Sequence, residues 1–175
     1  MDLKMLLYIQ NNLQNSFFDL LLPVISFLAN YGWIWILSAA ILFLYRKYRK
    51  YGIALILGLA LCFILGNLTL KPLVGRVRPY EVYNINLLIR ELSDFSFPSA
   101  HTYVSFCGAT VVYNANRKIG VFAFGLAALI AFSRLYLFVH YPSDVLAGII
   151  LGCGTALLSL FFVNIYYQKF EQRAD

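Results

Sequence analysis

Residues 51–70 read YGIALILGLALCFILGNLTL, twenty positions without a charge, closed by Lys71. A helix rises about 1.5 Å per residue, so about 20 apolar residues cross the hydrocarbon core of a bilayer. The stretch predicts a transmembrane helix, and that reading decides the class of the protein. Residues 145–168, VLAGIILGCGTALLSLFFVNIYYQ, form a second uncharged run of the same kind. Residues 119–133 lie uncharged between Lys118 and Arg134, whose long side chains can reach the interface and let a shorter run span. Residues 100–116 are diluted by His101, Thr102, Ser105 and Thr110. That pattern predicts a helix with a polar face inside a bundle, where Gly108 and Ala109 permit close approach. Residues 30–45 open with Tyr31, Gly32 and Trp33, an interfacial anchor, and end at Arg46.

The first 28 residues differ. Two short apolar pieces flank the polar run 10–15, and Pro23 interrupts the second. They read as two short interfacial helices, with one irregular span as the competing reading. The expectation is an all-α integral membrane protein: about five transmembrane helices in a helical bundle, preceded by N-terminal interfacial helices. Its parts are 1–29 (N-terminal helices), 30–168 (catalytic bundle) and 169–175 (cytoplasmic tail).

Composition agrees. Of 175 residues, 61% are hydrophobic and only 13% charged, whereas soluble domains carry about a quarter charged residues. The net charge of +6 falls in short clusters between apolar runs. No basic stripe on a solvated face can be built from it, which excludes a nucleic-acid binder. Cys62, Cys107 and Cys153 each sit in an apolar run without metal-ligand spacing, and read as packing residues. Asp2 and Lys4 offset each other and Asn11 and Asn12 break the first apolar run, so a signal peptide is not expected. No residue pattern specifies an oligomeric state.

Charge sets an orientation. Arg46, Lys47, Arg49 and Lys50 fill one loop, Arg117 and Lys118 mark another, and Lys169 and Arg173 follow the last run. With five spans these lie on one side, cytoplasmic by the positive-inside rule. Segment 71–99 and the turn 135–142 then share the outer side.

The scarce ionisable groups gather at that outer edge. Lys71, Arg76 and Arg78 follow the run 51–70. Pro98, Ser99, Ala100 and His101 open the next helix. Arg134 closes the run 119–133, and His140 and Asp144 open the last. Such a set suits attack on a phosphate. Charge spreads over the phosphoryl oxygens in the transition state, and Lys71, Arg78 and Arg134 can meet it. Ser99 can cap its helix, whose first-turn N–H groups add donors. Neutral His140 can act as nucleophile, with Asp144, four residues on, holding its Nδ1 proton. His101 can protonate the departing oxygen and then activate water. No metal or other cofactor enters this scheme: Glu81, Glu91 and Asp94 are too loosely spaced for a metal site. Two non-enzymatic readings compete, a transporter of an anionic solute and a lipid-binding scaffold. A transporter would place charges near the membrane midplane on broken helices, not at helix ends on one side.

These residues resemble the three motifs of the type 2 phosphatidic acid phosphatase (PAP2) superfamily. The first motif, Lys then six residues then Arg-Pro, matches KPLVGRVRP from Lys71 to Arg78-Pro79. The second, Pro-Ser-Gly-His, matches Pro98-Ser99-Ala100-His101 except at Ala100. The third, Ser-Arg, five residues, His, three residues, Asp, matches SRLYLFVHYPSD from Ser133-Arg134 through His140 to Asp144. The resemblance implies a phosphohistidine at His140, leaving-group chemistry at His101 and orientation by Asp144. It implies phosphate binding by Lys71, Arg78, Ser99, Ala100 and Arg134. Ala100 is tolerable if it lies in the first helical turn rather than at positive φ. The implied activity is metal-independent hydrolysis of a membrane lipid phosphate or diphosphate, with the site outside the bacterial inner membrane. Undecaprenyl diphosphate is the first-choice substrate, and phosphatidylglycerophosphate or lipid A the alternatives. Segment 80–97 is expected to shape the lipid entrance.

Overall fold

In the computed structural model the described residues are 2–83, 85 and 87–171. Arg173 and most of the 169–175 tail, with Met1, lie outside them. Among the described residues every regular element is helical. The chain runs α1 (Asp2–Leu13), α2 (Ser16–Phe27), α3 (Trp33–Leu44) and α4 (Arg49–Cys62). A π-helical stretch, Phe63–Leu70, continues α4 into α5 (Lys71–Val74), which is followed by α6 (Pro79–Tyr83). After an irregular segment come α7 (Ala100–Ala115), α8 (Arg117–Tyr136) and α9 (Pro142–Glu171).

Local chemistry sets several of these boundaries. The Asn15 side chain accepts the Phe18 N–H at 3.0 Å and caps α2. Asn116 does the same for Ile119 at 3.2 Å, so α8 restarts one residue after α7 stops. At α9, Pro142 occupies the first helical position, and the Asp144 carboxylate reaches back to the Tyr141 N–H at 2.9 Å.

The five runs expected to span all appear as helices. Arg46–Tyr83, Arg117–Tyr136 and Pro142–Lys169 are long and apolar enough to cross a membrane, and Ser16–Phe27 with Asn30–Leu44, bent by 45°, passes as a fourth together. The chain is a multi-pass membrane protein. Helix α7 buries Thr102, Ser105 and Thr110, the polar face inside the bundle that the sequence predicts, and at 16 residues it is shorter than the three long spans. One boundary differs from the sequence reading. Helix α2 continues into α3 across a short break, so the boundary at 29/30 falls inside a bent pair.

Helix α7 is the centre. It packs between α8 and α9, while α4 joins the bundle against α9 and α3. Cys62, Tyr103, Cys107, Val111 and Ala156 form the core there. Close approach needs a missing side chain: a Cβ at Gly152 of α9 would sit 2.3 Å from the Tyr103 carbonyl oxygen. Trp35 of α3 donates its indole N–H to buried Ser105 of α7 at 3.1 Å. A second cluster joins Leu6, Ile9 and Leu22 of α1 and α2 to Tyr80 and the 136–139 turn. Tyr80 and Phe138 pack there. The outward surface stays apolar, as at Leu20, Phe122 and Ile150.

The candidate active site

Lys71 begins α5 directly after the π-helical stretch, a distortion that recurs at functional sites. Arg78 follows the turn between α5 and α6. Arg134 lies in the last turn of α8, and His140 in the tight connection to α9. Ala100 and His101 are the first two residues of α7, and Ala100 is not at positive φ, so its methyl fits without strain. These six residues line one cavity of about 710 Å³. Its apolar wall includes Ile36, Leu59, Phe63 and Val104, between α3, α4 and α7. Glu91, Leu92, Ser93 and Asp94 of the irregular segment line another side, as expected of 80–97.

Lys71, Arg78, Arg134 and His140 are nearly inaccessible to solvent. Arg78 donates Nε to the Asp94 carbonyl oxygen at 2.8 Å, Nη1 to the Val139 carbonyl at 2.8 Å and Nη2 to Asp94 Oδ1 at 2.7 Å. Its Nη1 also lies 3.3 Å from His140 Nε2. A guanidinium can only donate, so Nε2 carries the lone pair and Nδ1 the proton. Burial, then the charges of Arg78, Arg134 and Lys71, push the His140 pKa well below the usual imidazole value. The ring is neutral at pH 7, with its lone pair toward the cavity cations.

Asp144 is fully buried behind His140. A direct bond to Nδ1 was expected, but Nδ1 lies 3.6 Å from Oδ2, beyond hydrogen-bond range. The reason is competition: Oδ2 accepts the Ser96 hydroxyl at 2.6 Å and the Tyr141 N–H at 2.9 Å. The Ser96 oxygen is itself 3.5 Å from Nδ1, so the hydroxyl sits between carboxylate and ring.

Ser99 does not line the cavity. It precedes α7, where its N–H donates to the Asp144 carbonyl at 3.2 Å, and its hydroxyl accepts from Thr102 at 2.9 Å instead of capping the helix. His101 Nε2 is 2.8 Å from Asn30 Oδ1, in the break between α2 and α3. Arg134 Nη1 donates to Ser26 of α2, while its buried Nε and Nη2 have no partner among the described residues.

Asp94 was weighed from sequence only as a loosely spaced acid. Its carboxylate bridges Lys71 and Arg78, and its side chain is half-exposed. Burial alone would raise its pKa, but the bonds to Lys71 and Arg78 override this and lower it to about 2. Sequence reasoning also missed Ser96, Asn30 and Ser26. Ser26 sits in an apolar run and Ser96 in an irregular one, and neither stands out. Asn30 carried a usable signal, as a polar residue at the junction of two apolar runs. Among the described residues, no group of three or more His, Cys, Asp or Glu could hold a metal ion.

Comparison with known proteins agrees with this geometry. An undecaprenyl-diphosphatase of Sulfolobus acidocaldarius is 32% identical over 138 residues, covering 77% of this chain and 66% of that protein. A lipid A 4'-phosphatase of Bacteroides thetaiotaomicron is 30% identical over 166 residues, covering 86% of this chain and 72% of that protein. The crystal structure of Aquifex aeolicus LpxE aligns with a TM-score of 0.81 and 30% identity, over 91% of this chain and 94% of that one. A family model of the PAP2 superfamily matches residues 47–168, which include all the cavity cations and both histidines. The chain therefore belongs to the PAP2 superfamily, and it is an enzyme of the membrane lipid phosphatase class.

Proposed function

We propose that the protein hydrolyses a lipid diphosphate through a phosphohistidine at His140, and that its substrate is undecaprenyl diphosphate. The observation that carries the phosphate site is Arg134. A buried guanidinium with two nitrogens unmatched among the described residues, in a cavity wall, needs an acceptor, and a phosphoryl oxygen supplies one. Lys71 and Arg78 neutralise the other oxygens. The N–H groups at Ala100 and His101, in the first turn of α7, add donors, and Ser99 stands behind them with its hydroxyl accepting from Thr102.

His140 Nε2 attacks phosphorus and the bond to the leaving oxygen breaks. His101 delivers a proton to that oxygen, then takes one from the water that attacks the phosphohistidine. Inorganic phosphate leaves and His140 is restored. Asp144, with Ser96 between, keeps the Nδ1 proton in place so that the lone pair stays on Nε2. No metal takes part in these steps. The apolar wall from Ile36 to Val104 holds the lipid chain.

The choice of undecaprenyl diphosphate rests on likeness to the S. acidocaldarius relative. Lipid A phosphate, from the B. thetaiotaomicron relative, is the second reading, and phosphatidylglycerophosphate the third. In this reading residues 30–168 form the catalytic bundle, 1–29 cover its outer end and 169–175 form a cytoplasmic tail. The cation-rich loops face the cytoplasm and the site opens outside the inner membrane.

Phosphate release from the three lipids by purified protein in one detergent tests this. Undecaprenyl diphosphate should turn over at least about ten-fold faster, a ~1.4 kcal/mol preference. Equal weak rates would remove the substrate assignment. Acid-labile, base-stable label on wild-type protein, absent from His140→Ala, checks the intermediate. Activity should survive EDTA, and metal-restored activity after chelation would count against the mechanism.

A further inference from the structure

Arg76 lies outside the residues with roles in the proposed chemistry, yet it reaches the deepest group of the site. Its Nη1 donates to Asp144 Oδ1 at 2.6 Å and to Ser143 Oγ at 2.7 Å. Among the described residues no other donor reaches Oδ1. Its backbone carbonyl accepts the Ser96 N–H at 2.8 Å, and Ser96 in turn holds Asp144 Oδ2. One residue thus fixes both carboxylate oxygens, one through its guanidinium and the other through its carbonyl.

Arg76 is itself held on several sides. Gly75, at φ +58°, ends α5 in a left-handed turn that aims the next residue back toward α9. The Tyr141 ring lies 3.9 Å from the guanidinium carbon. Nη2 pairs with Asp2 Oδ2 of α1 at 3.0 Å, and Ser143 donates to the same carboxylate. We infer that Arg76, anchored by Asp2, is a positioning residue that sets the Asp144 carboxylate for His140. The inference rests on the phosphohistidine reading above.

The physics separates this role from simple anchoring. The Arg76–Asp2 pair is about one-third exposed on both sides, and exposed pairs contribute little to stability. Asp144 is inaccessible, and without a partner for Oδ1 the carboxylate could turn and carry Oδ2 away from the Ser96 hydroxyl that faces Nδ1. A displacement of about 1 Å in such a group costs on the order of a hundred-fold in rate. The N-terminal helix α1 thereby becomes part of the site's support.

The test uses the full chain in detergent with undecaprenyl diphosphate, read as kcat and KM. Arg76→Met should lower kcat roughly 10- to 100-fold with KM changed less than about three-fold. Arg76→Lys, which keeps a charge and a donor, should recover part of the loss. Asp2→Asn should lower kcat several-fold, and the double variant should be no slower than Arg76→Met alone, since both act through one contact. Arg76→Met within two-fold of wild type, a loss confined to KM, no recovery with lysine, or multiplying losses in the double variant would each overturn the inference. If Arg76→Met fails to fold, Arg76→Lys and Asp2→Asn decide the same question. His140→Ala is the reference: retained turnover there would remove the phosphohistidine reading itself, whereas a dead His140→Ala beside a fully active Arg76→Met removes only the role of Arg76.

Discussion

At the scale of single residues, charge alternates along a file from Asp2 through Arg76 to Asp144 and, past the neutral His140 ring, from Arg78 through Asp94 to Lys71. In the proposed reaction Asp94 competes with the phosphoryl group for Lys71 and Arg78. Asn67, Lys71 and Asp94 also line a smaller cavity of about 390 Å³, with Pro72 and Phe95. Asp94→Asn removes the competing charge, so inhibition by inorganic phosphate should tighten on the order of ten-fold, or ~1.4 kcal/mol. A steady-state inhibition series reads this, and an unchanged constant would show that Asp94 does not contest the site. His140 gives the pH dependence. Its folded pKa lies below the ordinary 6.5, so the unfolded chain takes up a proton first as pH falls. Stability from this group is complete above about 6.5 and declines below it. Asp94, lowered from 3.8 to about 2, adds a loss only below about 4. Thermal stability in detergent should therefore fall as pH drops below 6.5, and His140→Ala should make that fall shallower.

At the scale of elements, the motif residues of α7, α8 and α9 are brought together by close helix packing at the centre of the bundle. The α7–α9 contact depends on Gly152 against the Tyr103 carbonyl, a backbone atom that cannot swing aside. Gly152→Ala should cost about 2 kcal/mol and lower the melting temperature. It should also lower kcat, because Gly148 against Thr102 and then the Ser99 N–H to the Asp144 carbonyl follow along the same helix pair. Gly154, with open space around a built Cβ, is the control: Gly154→Ala should leave both quantities within error. The sequence made most of these elements readable, because uncharged runs of about 20 residues have one stable solution in a bilayer. It was less clear for the first 28 residues, where the polar run 10–15 and Pro23 favoured two interfacial helices over one irregular span, and the joining of α2 to α3 across a short break was not foreseen.

At the scale of the whole molecule, the ends of the helices sort the charges. The turns around Arg46 and Asn116 lie at one end, while Asn30, Lys71, the 91–94 segment and His140 lie at the other. Single cysteines at Lys47 and Lys118 in a cysteine-free background should react with a membrane-impermeant reagent only after the cells are opened. One at Arg90 should react in cells whose outer barrier alone is permeabilised. The reverse pattern would place the site inside. Membrane class, most helix positions and the candidate residues Lys71, Arg78, Ala100, His101, Arg134 and His140, which line one cavity, were legible in the sequence alone, since apolar run length and the spacing of scarce charges survive without coordinates. Tertiary structure alone decided that Asp94 pairs with Lys71 and Arg78, that Ser96 stands between Asp144 and His140, and that Arg76 bridges the Asp144 and Asp2 carboxylates. Those partners are single polar residues from segments distant in the chain, whose chemistry is ordinary until folding removes water from around them.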